Sequence, residues 1–129
     1  MKKSLFLKLV MSLVFLSACA TGKTQTLEEF YKDAKIEQVD QVTIQDGTTG
    51  ASKTITNPEQ IDEFLNLINV IEFTPQKNQE ERLGWLYRIT LFDGEQEFQF
   101  TLNQINGTYY DSNPDIHPIV DDYYKQLAE

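Results

Sequence analysis

The chain has a single cysteine, Cys19, which directly follows a short apolar segment near the amino terminus. One thiol cannot form a disulfide within the chain, so the fold must be held together by its hydrophobic core. From Cys19 onward 111 of the 129 residues remain, which is enough for one domain with a real core and too few for two. We therefore expect one domain, spanning residues 26–129, without covalent cross-links.

The segment before Cys19 has the organisation of an export signal. Its first eight residues include three lysines, and the apolar run over residues 9–16 is shorter than a membrane-spanning helix, which needs about 20 residues. The run ends in a Leu-Ser-Ala-Cys sequence at residues 16–19, which resembles the lipobox of bacterial lipoproteins. The resemblance implies that residues 1–18 are a signal peptide that is cut away. It also implies that Cys19 carries lipid, a diacylglyceryl group together with an acyl chain such as palmitate.

Lipidation at Cys19 sets both the location and the charge of the mature chain. Residues 19–25 are mostly small and polar and are predicted to be a short tether, which places the domain close to the extracytoplasmic face of the cell membrane. Loss of the three signal-peptide lysines leaves 8 basic residues against 20 acidic ones, a formal net charge of −12. A surface this acidic repels nucleic acid and anionic lipid headgroups. We expect contact with the membrane through the lipid, and no nucleic-acid partner.

Three helices are predicted. Residues 26–29 have the spacing of a capping box and precede a short amphipathic helix. Residues 57–60 form a strong helix start, with asparagine at the cap and proline after it, and Leu67 and Ile71 widen the apolar stripe that follows. A last amphipathic helix is expected over residues 116–127, where apolar side chains recur at helical spacing.

The strands are predicted from alternating apolar residues and turn residues. They cover residues 39–45, 53–56, 85–92, 97–102 and 108–110, with turns at residues 46–50, 93–94 and 103–107. The polar run at residues 76–82 is predicted to be a loop that is either functional or mobile. The expected fold class is α+β: a small antiparallel sheet, made of a hairpin and a three-stranded meander, packed against one central and one C-terminal amphipathic helix. This arrangement, with its Gly-Trp-Leu-Tyr-Arg-Ile sequence at residues 84–89, resembles domains of unknown function in small lipoproteins of Gram-positive bacteria, and the resemblance implies no activity.

The sequence lacks the usual signatures of catalysis and metal binding. His117 is the only histidine, and there is neither a nucleophile elbow nor a phosphate-binding glycine loop. Asp111, Asn113 and Asp115 match the first ligand positions of a calcium loop, but Ile116 stands where that loop needs glycine. These residues are better explained as turn and helix-cap residues. We predict no catalytic residue, no metal site and no cofactor.

Aromatic residues are the candidates for a recognition surface, because amphipathic rings are enriched at interfaces. In the pairs Tyr109-Tyr110 and Tyr123-Tyr124, neighbouring side chains point in different directions, so one ring of each pair is expected at the surface. The candidate binding surface comprises Trp85, Tyr87, Tyr109, Tyr110, Tyr123 and Tyr124.

Because the sequence predicts an anchor and a stable fold but no catalytic residues, we expect a non-enzymatic binding or regulatory module. We expect it to be tethered to the cell envelope and to capture a protein or peptide partner. Two alternatives are open. An envelope enzyme would use exposed carboxylates such as Glu80 and Glu81 beside Arg82. A pheromone precursor would instead release a peptide from residues 13–18 of the signal peptide.

Overall fold

A computed structural model describes residues 23–127 of the chain. The predicted signal peptide, Cys19, the tether up to residue 22 and residues 128–129 lie outside the described residues. The α+β class is confirmed. In chain order the elements are β1 (Gln25–Thr26), α1 (Leu27–Asp33), β2 (Gln41–Asp46), β3 (Ser52–Ile55), α2 (Pro58–Ile68), β4 (Glu72–Pro75), β5 (Tyr87–Asp93), β6 (Gln96–Thr101), β7 (Gln104–Ile105), β8 (Thr108–Asn113) and α3 (Ile116–Gln126).

The strands form two antiparallel four-stranded sheets, with orders β1-β4-β8-β7 and β3-β2-β5-β6. The second sheet contains both predicted hairpins, and its buried face pairs Val42 with Leu91 across β2 and β5. The third strand of the predicted meander belongs elsewhere, because β8 leaves β6 and pairs with β4, where Phe73 lies opposite Ser112. The sequence analysis missed β4, since this four-residue strand has one buried apolar residue and ends at Pro75.

Each of the three predicted helix starts is present. Thr26 and Glu29 form the reciprocal capping box of α1, with the Thr26 amide donating to Glu29 Oε1 at 3.0 Å. The side chain of Asn57 accepts from the two backbone amides that open α2, and Asp115 Oδ1 accepts from the amide of His117 at the start of α3. Within residues 23–127, no helix is long and apolar enough to cross a membrane.

The helices divide between the two sheets. On α1, the ring of Phe30 packs edge-on against Phe73 of β4 and Tyr110 of β8, with centroids 6.2 and 5.3 Å apart. On α2, Phe64 is fully buried and packs against Tyr123 of α3. One prediction about α2 is wrong: Leu67 is 45% exposed, because the stripe that faces the core is formed by Ile61, Phe64 and Ile68.

Candidate functional site

The surface of the described residues contains a groove that encloses about 780 Å³. We call it the groove throughout. It is lined by the end of β8, by the start of α3 and by the segment 83–86, which we call the bridge segment. Its lining residues are Gln76, Leu83, Gly84, Trp85, Leu86, Leu102, Asn103, Tyr110, Asp111, Ser112, Asp115, Ile116 and His117.

One side of the groove is an open strand edge. Main-chain groups of successive strand residues point to opposite edges, and Tyr109 directs its carbonyl towards the β4 side, where it accepts from the amide of Gln76 at 3.0 Å. Tyr110 points the other way and donates to the carbonyl of Asn103 at 2.8 Å. Ser112 has the same orientation as Tyr110, but β7 ends before reaching it. Among the described residues, no strand therefore pairs with the groove-facing main chain of Ser112.

The polar loop at residues 76–82 is fixed to the other edge of β8. The side-chain amide of Gln79 accepts from the Tyr109 amide at 2.8 Å and donates to the Tyr109 carbonyl at 3.0 Å, so it replaces a neighbouring strand. Arg82 donates its backbone amide to the Tyr109 hydroxyl at 2.8 Å, and its guanidinium lies 4.4 Å from the centre of the Tyr109 ring. The bridge segment therefore directly follows an anchored residue.

The far end of the bridge segment is fixed as well. The carbonyl of Leu86 accepts from the amide of Gly47 at 2.7 Å, in the turn between β2 and β3. A Cβ atom at position 47 would overlap both the carbonyl oxygen and the ring of Trp85, so this close approach requires glycine. The guanidinium of Arg88 lies 4.1 Å from the centre of the Trp85 ring. Trp85 is thus clamped between the turn and Arg88, at the start of β5.

The bridge segment carries two exposed apolar side chains. Leu83 is 97% exposed and Leu86 is 55% exposed. Towards the interior the groove reaches Leu102 and Ile116, which belong to the hydrophobic core. Exposed apolar side chains that continue into a concave surface are typical of binding sites. Here they lie on a segment that is hydrogen-bonded at both ends, so their exposure is not a consequence of a loose loop.

The polar side chains of the groove are concentrated near β8 and α3. Asp111 accepts from the side-chain amide of Gln76 at 3.1 Å, and Asp115 caps α3. The ring of His117 lies 6.3 Å from the ring of Tyr87, centroid to centroid. Both aspartates are exposed to solvent, and their carboxylates give this end of the groove a negative charge.

Behind His117, the hydroxyl of Tyr87 donates to Asp121 Oδ1 at 2.6 Å. Burial, reinforced by this hydrogen bond, raises the pKa of Tyr87, so the phenol remains protonated and acts as a donor. Hydrogen bonds from Lys125 and then from Tyr87 lower the pKa of Asp121. This pair joins β5 to α3, the helix whose first turn lines the groove.

The structure separates the six predicted surface aromatics into two sets. Trp85 and Tyr110 are half-buried and line the groove. Tyr87 and Tyr109 are 6% and 5% exposed, and each is engaged by a hydrogen bond and a neighbouring side chain. The expectation that one ring of the Tyr109-Tyr110 pair reaches the surface is met in part by Tyr110.

The same expectation is wrong for Tyr123 and Tyr124, which are 6% and 8% exposed. The helix α3 is covered on two sides, so both directions lead into packed surroundings. Tyr123 packs against Phe64 of α2, and Tyr124 packs against Tyr87 of β5 with ring centroids 5.3 Å apart. These two rings belong to the core.

The carboxylates of the enzyme alternative are not brought into a site. Glu80 and Glu81 are exposed, and within residues 23–127 no ion pair joins either of them to Arg82. The guanidinium of Arg82 instead donates to Gln76 Oε1 at 2.6 Å and to the carbonyl of Asn78 at 3.0 Å. In the same described range, no group of three or more His, Cys, Asp or Glu side chains is arranged to hold a metal ion.

The sequence did not predict that the leucines of the bridge segment or the polar residues near β8 and α3 would line a groove. Leu83 precedes Gly84, which has a φ of 81°, and stands directly after seven polar residues. An apolar residue between a polar run and a glycine has no periodic partner, and this isolation was the available signal. The groove-facing role of Asp111, Asp115 and His117 depends on β8 joining the first sheet, which no local pattern indicates.

Comparison of the chain with protein-family models, with curated proteins and with solved structures gives no match. No relative therefore supplies a function for the groove. The resemblance to small lipoproteins rests on the residues around Cys19 and remains an expectation from the sequence.

Proposed function

We propose that this chain is a lipid-anchored, extracytoplasmic, non-enzymatic binding module, and that its groove takes the apolar side chain of a protein or peptide partner. One observation carries the proposal for the groove. Leu83 is 97% exposed on a segment that is held at Arg82 and Leu86, so an apolar surface is presented in a fixed conformation. A partner that covers it gains apolar burial without ordering the segment, which lowers the entropic cost of binding.

The anchoring half of the proposal is supported by the lipobox around Cys19 and by the short distance from it to β1, which begins at Gln25. Replacing Cys19 with alanine should abolish incorporation of an alkyne-labelled palmitate and release the chain from the membrane fraction. Lys23→Ala, in the tether, is the matched control and should label normally. Palmitate labelling that persists in the Cys19→Ala variant overturns the lipid assignment.

The binding half can be tested with the chain's own fluorescence, because Trp85 is the only tryptophan and lines the groove. A random hexapeptide library should be selected on the full-length chain in detergent micelles. Enriched peptides should carry large apolar residues, should change the emission of Trp85 on titration, and should lose binding in Leu83→Asp.

Leu67→Asp is the control for that experiment, since Leu67 is an exposed leucine on α2 outside the groove. It should leave peptide binding unchanged. Failure of the library to enrich any peptide, or equal loss of binding in the two aspartate variants, contradicts the proposed site.

A further inference from the structure

The groove is bounded by a strand edge as well as by apolar side chains, and this combination restricts what fits it. The amide of Tyr110 points away from β4, strand alternation gives Ser112 the same orientation, and both residues line the groove. The Tyr110 amide is bonded to Asn103, and its carbonyl accepts from the side chain of Gln76 at 3.1 Å. The amide and carbonyl of Ser112 have no strand partner in the described part of the chain. An exposed donor and acceptor pair of this kind is a template for one more strand.

We infer that the ligand of the groove is an extended peptide that pairs with β8 at Ser112 and carries a basic residue next to an apolar one. The inference rests on the proposed function and names the ligand class of the same site. Pairing through the main chain supplies the hydrogen bonds, and alternate side chains of the added strand point to opposite sides.

The dimensions agree with a short segment. The part of β8 that lines the groove, from Tyr110 to Ser112, spans three residues, or about 10 Å at the rise of a strand. The bridge segment lines the same groove and is held by hydrogen bonds at Arg82 and Leu86, so a peptide in the groove would meet a second fixed length of main chain. A volume of about 780 Å³ accommodates a few residues of such a peptide.

Charge selects the second property of the ligand. The carboxylates of Asp111 and Asp115 line the groove on the β8 and α3 side. Arg82, near the mouth, is committed to Gln76, Asn78 and the ring of Tyr109. A lysine or arginine that follows or precedes the buried apolar residue meets these carboxylates, while an acidic residue there is repelled.

The test uses the synthetic peptide acetyl-Val-Lys-Leu-Lys-Val-amide and three variants of it, titrated against the full-length chain with Trp85 emission as the signal. N-methylation of the central leucine removes one main-chain donor and should weaken binding roughly tenfold. Exchange of both lysines for glutamate should abolish the signal. Exchange of the leucine for asparagine should also abolish it, because the apolar contact with the bridge segment is lost.

On the protein side, Asp111→Asn and Asp115→Asn keep an acceptor for Gln76 and a good cap for α3 while removing both charges. The double variant should bind the lysine peptide several-fold more weakly and should lose most of the salt dependence. Asp62→Asn, on the exposed side of α2, is the matched control and should change neither.

The outcomes separate this inference from the proposed function. Leucine-dependent binding that ignores N-methylation shows an apolar pocket without strand pairing, which overturns the inference and leaves the binding module standing. Binding that ignores lysine-to-glutamate exchange overturns the requirement for a basic residue. If a second copy of the chain, and not the peptide, changes the emission of Trp85, the strand edge serves self-association and the peptide assignment is overturned.

Discussion

Two regions with large side chains, α3 and the bridge segment, differ in what covers them. On α3, Tyr123 and Tyr124 are both buried, one against α2 and the other against β5. In the bridge segment, Leu83 and Leu86 are exposed although their main chain is fixed. Four of the six aromatic residues predicted for the binding surface are buried, so aromatic character alone is a poor guide to that surface in this fold. Leu83, which is 97% exposed, is aliphatic and has no periodic place in a strand or helix.

The largest expected effect lies on the covered side of the comparison. Phe64→Ala removes a fully buried ring that packs against Tyr123, and should lower the free energy of unfolding by roughly 3–5 kcal/mol. Phe100→Ala, 3% exposed in β6, should behave similarly. Urea denaturation followed by circular dichroism measures both. A loss below about 1 kcal/mol at Phe64 would show that α3 and α2 do not share a tight core.

A smaller effect is expected where the bridge segment meets the β2–β3 turn. Gly47→Ala forces Trp85 away from the turn, because the added methyl group overlaps its carbonyl and ring, and should cost about 1–3 kcal/mol. Trp85 emission should shift to longer wavelength as the ring becomes more exposed. Thr48→Ala is the control in the same turn, since its side chain makes no hydrogen bond there, and unchanged emission in both variants would mean that Gly47 does not position the bridge segment.

The Tyr87–Asp121 hydrogen bond joins β5 to α3 and tests how firmly α3 is held. Tyr87→Phe removes one of the two hydrogen bonds that hold the pKa of Asp121 below its ordinary value, so that pKa should rise. Lys125→Met should raise the pKa of Asp121 more than Tyr87→Phe does, because the hydrogen bond from Lys125 is the larger cause of the lowered pKa. A carboxyl titration by NMR measures both shifts, and an Asp121 pKa that is unchanged in Tyr87→Phe would contradict the pairing.

The sign of the pH dependence follows from the same pair. The folded-state pKa of Asp121 lies below the unfolded one, so its contribution to stability is fully present above about pH 4. It is lost as the pH falls through the folded-state value. The difference in unfolding free energy between the wild-type chain and Tyr87→Phe should therefore shrink on acidification below pH 4.

The smallest effect on stability is expected at the exposed side. Leu83→Ala removes a side chain that is almost entirely in solvent, so the free energy of unfolding should change by less than about 0.5 kcal/mol. The same variant should still weaken the binding of apolar peptides to the groove. A large destabilisation would instead make Leu83 part of the core and remove the contrast with α3.

Local sequence signals were sufficient for the helices and hairpins. The caps at Thr26 and Asn57 are present, as is the Asn106-Gly107 turn, in which both residues have positive φ as a tight hairpin requires. These features depend on interactions within a few residues, and a single sequence contains that information.

The pairing of β8 with β4 was not predictable in the same way. It joins residues about 40 positions apart, such as Phe73 and Ser112, and neither strand has a strong alternating pattern. The groove exists only because β8 joins this sheet beyond the end of β7. The burial of both Tyr123 and Tyr124 likewise depends on packing on two sides of α3, which the apolar periodicity of one helix does not specify.

The position of Thr24 at the start of the fold limits how far from the membrane the groove would lie if Cys19 carries a lipid. Thr24 is hydrogen-bonded to Thr74 at 2.8 Å, and Thr74 lies opposite Asp111, so the tether leaves the fold about two strand spacings, or 10 Å, from the groove edge. The five residues from Cys19 to Thr24 add at most about 18 Å of extended chain. A ligand segment on a neighbouring membrane protein would then share a thin layer with the groove, at an effective concentration in the millimolar range. Under such confinement even a millimolar affinity for the free peptide is enough for substantial occupancy, so weak binding in solution is compatible with a working site at the membrane.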